Sequence, residues 1–523
     1  SYIDSTIVSE TNVSTYYEGI CTSSGTVYGV LNVGGAVGYL ATSGSETKSA
    51  VVGVITNAQV YGNTNVGGLI GLAGTSEIVG NTVKAATKQD ASGTTSEGSE
   101  TTETTSNTQL EIKGILAHTY IQSTVNNKNV YNSYYVLPTS VGGLAGSTRA
   151  VDSSAVTAKY NDVSVSITTT TEGSTSTVGS TSTGSTPVNN GSNVISTISN
   201  YYYAKKAADI QGSDLCDLDF ENDDAKLDFN SISTGFGGMF GTTSTHTVLA
   251  SVKSENKVFN ISTNNLDVTI DAPLGVNVGT YYGAYYAEST AEISEDSEGN
   301  TQAVTILLPT LKNASSVSGA YNIGGAIGHY SSNQTGNLQF TFTLSQSINV
   351  QESGVGMYVG GVFGKFVGNI DKLSVEPANK DVKDEYKQKL TIYTNESYYI
   401  GGLVGRLEGN MYGAAEDADG NVVYSVSAEN VSVNGYTSSN FGGLVGMLKV
   451  KQSDSPQDKG VIATAKGKHS YAFTVNIIEN SNYYDGESGF NATKNDNDEI
   501  ELYAQAYYIN LDNFKISAST SVP

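Results

Sequence analysis

The chain has 523 residues, with 27 Lys and Arg against 51 Asp and Glu, a formal net charge of −24, 58 Gly, 34 Tyr, 7 Pro and no Trp. A surface of that sign repels phosphate backbones and anionic headgroups, which argues against nucleic acid as a partner and against membrane insertion. Hydrophobic residues at 38% and charged residues at 15% describe a folded but polar chain, since the charge content is too low for the disordered class.

At the N-terminus, numbering opens at Ser1 without Met, and no charged start with an apolar stretch follows. This reads as the processed end of a secreted chain. No apolar run approaches the roughly 18 residues of a membrane span. Cys21 and Cys216 could pair, but two thiols about 195 positions apart define no framework, and they read as two independent buried thiols.

From residue 33 onward the dominant signal is a unit hydrophobic-Gly-Gly-x-x-Gly, present eight times. Its paired glycines are Gly34 and Gly35, Gly67 and Gly68, Gly142 and Gly143, Gly237 and Gly238, Gly324 and Gly325, Gly360 and Gly361, Gly401 and Gly402, and Gly442 and Gly443. The spacings are 33, 75, 95, 87, 36, 41 and 41 residues. The three long gaps are near twice the short ones, so each hides a degenerate copy or carries an insertion; Tyr281 to Tyr286 is a candidate remnant. Between copies, apolar and polar residues alternate with a period of two, as in 338–344 and 422–433, the pattern of half-buried strands. Residues 378–387 form the one predicted short helix.

These features predict an all-β chain built as a β-solenoid over 1–450. Glycine at each corner supplies positive φ and close backbone approach, and the flanking Val, Ile, Phe and Leu stack in columns from one turn to the next. Ser/Thr-rich insertions occupy 86–109 and 166–193, and Gly299 and Gly420 mark hairpin turns. Residues 451–523 lack the repeat, concentrate Lys, and read as a capping or docking region that covers or pairs an open sheet edge.

The Gly-Gly-Leu-Val-Gly cores at 401–405 and 442–446, with the looser copies and the segments Asn132-Ser133-Tyr134-Tyr135 and Asn200-Tyr201-Tyr202-Tyr203, resemble the GLUG-motif repeats of bacterial surface proteins. Those repeats occur in cell-surface adhesins and in the non-catalytic β-helical part of IgA-specific metallopeptidases. The resemblance covers residues 30–450 discontinuously and implies a β-solenoid and an extracellular location; it implies no chemistry for these residues.

Chemistry is sparse. His118, His246, His329 and His469 stand singly, none in a His-Glu-x-x-His arrangement, and His329 is expected at a corner. The acidic stretch around Asp214, Asp217 and Asp219, and the loop with Asp417, Asp419 and Asn421, carry alternate oxygen ligands and are weak candidates for calcium; the rival reading is solvated acidic loops. No other cofactor is expected. Tyr arrives in pairs, and alternation along a strand puts one ring of each pair inward and one outward, where it could meet glycans or a neighbouring subunit. The sequence therefore points to a non-enzymatic extracellular structural protein, a self-assembling subunit of a fibre, sheath or surface layer that binds copies of itself. An adhesin stalk recognising glycans or host matrix is the first alternative, and a β-helical polysaccharide-cleaving enzyme the second.

Overall fold

A computed structural model describes residues 21–41, 49–85, 109–125, 128–148, 156–169, 235–244, 247–249, 265–287, 306, 308–332, 337–383, 386–395, 397–413, 426–436 and 438–449, with short strands at 462–464, 470–478, 492–494, 500–502 and 517–518. Among the described residues the chain is all-β. Its strands form a 28-stranded and a 9-stranded parallel sheet, and two small two-stranded sheets. Of the predicted helix at 378–387, residues 378–383 are irregular, 384 and 385 lie outside the described residues, and Tyr386 N closes a short turn by donating to Lys383 O at 2.9 Å.

The 9-stranded sheet shows how the repeat works. Its strands Val37–Leu40, Ile70–Ala73, Ala145–Thr148, Phe240–Ser244, Tyr282–Ala287, Ile327–Ser332, Phe363–Val367, Val404–Glu408 and Val445–Lys449 pair in chain order. The apolar residue that opens each strand stacks on its counterpart, giving one column from Val37 through Ile70, Ala145, Phe240, Tyr282, Ile327, Phe363 and Val404 to Val445. A second column runs through the residue before the first glycine, from Val33 through Val66, Val141, Phe236, Val278, Ile323, Val359 and Ile400 to Phe441. Tyr285, Tyr330 and Phe366 form a third, their rings stacked at 5.7 and 4.7 Å between centroids; each such contact adds about 0.5–1.5 kcal/mol beyond its buried area.

The columns settle what the long gaps contain. Val141 pairs directly with Val66 on one side and Phe236 on the other, so the gaps of 75 and 95 residues hold inserted chain and no hidden copy. One insertion contains the antiparallel hairpin of Ala117–Val125 with Lys128–Val136. The 87-residue gap does hide a copy, at Val278-Gly279-Thr280-Tyr281-Tyr282-Gly283, three residues before the expected remnant and with Thr280 in place of the second glycine. Among the described residues, nine repeats thus stand in register.

Of the two roles expected of the motif glycines, close approach holds and positive φ does not. Positive φ belongs to the residue two positions before the first glycine: Asn32, Asn65, Ser140, Asn277, Asn322, Tyr358, Tyr399 and Asn440, at +51° to +61°. Asn tolerates this left-handed conformation better than other residues with a Cβ, for which it costs about 1–2 kcal/mol. The side chains then link repeats: Asn65 Nδ2 donates to Asn32 Oδ1 at 2.8 Å, and Asn322 Nδ2 to Asn277 Oδ1 at 2.6 Å. The motif glycines serve close approach instead. A Cβ on Gly361 would lie 2.1 Å from the carbonyl oxygen of Gly402, and one on Gly405 2.5 Å from the carbonyl carbon of Tyr358. Corner backbone groups are satisfied by the neighbouring repeat, as where Gly361 N donates to Gly401 O and Gly402 N to Gly442 O.

Strand Ser470–Ile478 continues the larger sheet by pairing parallel with Val426–Tyr436. The hairpin turns at Gly299 and Gly420 lie outside the described residues, as do 86–108 and 170–234. Of the 166–193 tract, residues 166–169 complete the strand Val156–Thr169.

Candidate functional site

The calcium candidates Asp214, Asp217, Asp219, Asp417, Asp419 and Asn421 lie outside the described residues, with His246 and His469. Among the described residues no group of three or more His, Cys, Asp or Glu could hold a metal ion. Tyr281 and Tyr282 break the expected in-and-out alternation: both are buried, at 1% and 3% exposure, because they straddle the corner and do not lie side by side within one strand.

Among the described residues, buried charge concentrates on the 9-stranded sheet, beside the strand positions of the Tyr285, Tyr330 and Phe366 column and on the opposite face. The residue after the last motif glycine stacks as Ala284, His329, Lys365, Arg406 and Met447. Two residues further on, Glu408 stacks between Val367 and Lys449. The repeat register therefore places Lys365, Arg406 and Glu408 together although up to 43 residues separate them. Glu408 Oε1 lies 2.5 Å from Arg406 Nη2 and 3.2 Å from Lys365 Nζ. Arg406, 4% exposed, also donates from Nη1 to the Tyr358 hydroxyl at 3.2 Å and lies over the Tyr358 ring. The Tyr358 ring stacks in turn on Tyr399, both being left-handed corner residues.

Burial alone would raise the Glu408 carboxyl, but Arg406 and Lys365 outweigh it and hold the group below its ordinary range. Burial lowers Lys365, partly offset by Glu408. His329 is not at a corner; it lies within its strand, and its Nε2 is buried with no hydrogen-bond partner. Burial first, then the charges of Lys365 and Arg406, push its imidazole well below its usual value, so it is neutral. The Tyr286 hydroxyl beside it is likewise buried without a partner, and burial raises that group. The cluster has the chemistry of an internal electrostatic clamp joining adjacent repeats: a carboxylate held by two cations, with no paired carboxylates and no nucleophile set beside a base.

A pH effect follows from His329. Its folded pKa is depressed, so the unfolded chain takes up a proton near pH 6.5 that the folded chain refuses, and stability falls as pH drops below that value. His329→Met, which borrows the residue that Met447 supplies in the same column, should flatten that part of the profile in urea unfolding; an unchanged slope would show that other groups set it.

Sequence reasoning overlooked both the left-handed corner residue and this cluster. The first had a signal, Asn two positions before the Gly pair in four of the eight copies recognised, at Asn32, Asn65, Asn322 and Asn440. The second becomes visible only after the copies are aligned on their last glycine. No protein-family model matches the chain, and neither does any curated protein or solved structure.

Proposed function

We propose that this chain is a β-solenoid acting as an extracellular structural protein, a self-assembling subunit of a fibre, sheath or surface layer. The observation that supports the reading best is the continuous register of nine repeats, in which each corner is completed by the backbone of the next. A stack of this kind has nearest-neighbour stability and can be extended by adding rungs. The charged groups placed by the repeat clamp neighbouring rungs together. The extracellular location rests on the sequence reading and the resemblance to GLUG-motif surface proteins.

A glycan-binding stalk is the second reading, favoured by Tyr28, whose ring is 61% exposed and stacks on Tyr61 at 4.8 Å to present an open aromatic face. Electron microscopy of the purified chain, with calcium and then with chelator, separates the two. Ordered fibres or sheets are expected, and their loss in chelator would assign a cation-bridging role to the stretches at 214–219 and 417–421. Dispersed rods in both conditions would overturn self-assembly and turn attention to glycans.

A further inference from the structure

The first repeat differs from the rest in what it leaves uncovered. Its strands Cys21–Ser23, Thr26–Tyr28, Leu31–Gly34 and Val37–Leu40 each pair on one side only, with Val54–Thr56, Gln59–Gly62, Thr64–Gly67 and Ile70–Ala73. Among the described residues, nothing pairs with their outer side. A row of unpaired backbone donors and acceptors is a template for another strand, and sheet edges are ordinarily protected from this by charge, above all Lys, or by Pro. Residues 21–41 contain no charged residue and no Pro. They do carry four of the six large hydrophobics that stand exposed among the described residues: Tyr28 at 61%, Val30 at 55%, Leu31 at 63% and Tyr39 at 55%. The opposite end of the stack is more covered: in the ninth repeat Leu444 and Val445 are 7% and 2% exposed, whereas the first repeat's counterpart of Leu444, Ala36, is exposed.

Charge identifies the partner. A chain of net charge −24 meets a copy of itself against like-charge repulsion nearly everywhere, and a junction made of two uncharged surfaces escapes it. We propose that the edge formed by residues 21–41 docks against the same edge of a second copy of this chain, about a two-fold axis, with backbone pairing across the junction and Leu31 and Tyr39 buried in it. This contact rests on the self-assembly reading and names the surface that carries one step of it.

The test uses the full chain and two independent readouts. Leu31→Lys with Tyr39→Lys charges the edge without removing a buried side chain, since both residues are already exposed. In sedimentation equilibrium, the wild type is expected to associate and the double variant to need at least a tenfold higher concentration to do so. A tagged double variant should also fail to co-sediment with wild type; if it joins wild-type assemblies, the junction is head-to-tail and the two-fold contact is overturned. Fibres or dimers that the variant forms as readily as wild type overturn this contact and leave the structural reading standing, whereas a wild type that stays monomeric overturns both. Cys21 is not the buried thiol expected but a free, exposed one on this edge, and it reports on the unaltered surface when Cys216→Ser leaves it as the sole cysteine. Its maleimide reactivity should fall at least tenfold on association. Equal reactivity in monomer and assembly, or protection already present at high dilution because the chain covers its own edge, would overturn the proposal.

Discussion

Gly402→Val is expected to cost at least about 3 kcal/mol and to replace a sharp unfolding transition with a broad one. The reason lies in the backbone: a Cβ at this position would sit 2.2 Å from the carbonyl oxygen of Gly443. No rotamer change relieves that contact, because the opposing atom belongs to the next rung, whose own strand Val445–Lys449 is fixed by pairing with Val404–Glu408. Even alanine should be severe. Gly25 is the control, a glycine at φ +99° with nothing within 4 Å of its missing Cβ. There, Gly25→Ala should cost only conformational strain of about 1–2 kcal/mol. Urea unfolding of the three variants decides the matter: equal small losses would show that the corner backbone can shift, and that close approach does not define the motif.

The second large effect is expected at Glu408. Truncation to Ala leaves Arg406, 4% exposed, and the largely buried Lys365 without their common carboxylate. Removing one partner of a buried ion pair costs about 3–5 kcal/mol, and the lower end applies because Lys365 keeps some contact with water. Since Glu408 has a depressed carboxyl pKa, its contribution is present above the ordinary carboxylate range and is lost as pH falls through its own value. The acid side of the stability profile should therefore be shallower in Glu408→Ala. A triple replacement, Lys365→Met, Arg406→Met and Glu408→Val, borrows residues that neighbouring rungs place in the same columns, Met447 and Val367. It should recover most of the loss, because an apolar set of similar volume avoids the desolvation of three charges. If the triple variant is as unstable as the single one, the cluster provides something beyond mutual neutralisation.

The repeats were legible because a Gly pair at recurrent spacing is a strong local mark, and the alternating strands between them were legible for the same reason. Whether a long gap held a hidden copy or an insertion was not, since 75, 95 and 87 residues look alike on spacing alone. Only the pairing of Val141 with Val66 and Phe236, and of Val278 with Phe236 and Ile323, separates the cases. The degenerate copy was misplaced because Thr280 breaks the Gly pair, and attention fell on the tyrosines that follow it. The role of glycine was half right for a physical reason: positive φ and close approach both favour glycine, the sequence does not say which applies, and only close approach holds at the motif glycines. Asn32, Asn65, Asn322 and Asn440 held the answer, since Asn is among the few residues with a Cβ that accept the left-handed conformation readily. Lys365, Arg406 and Glu408 could not be seen as a group until the register was known, because nothing in their immediate neighbours marks them as buried.

The pairing of Val141 with Phe236 has a consequence for how the molecule can change. Ninety-five positions of chain leave one rung and return to the next, about 4.8 Å away, the same step that 33 positions make between Val33 and Val66. Contour length and axial advance are therefore independent. Chain can be added between rungs without altering the rise of the stack, provided that what is added brings its entry and exit back to neighbouring rungs. The paired strands thus work as a ruler whose graduations stay fixed whatever is inserted between them.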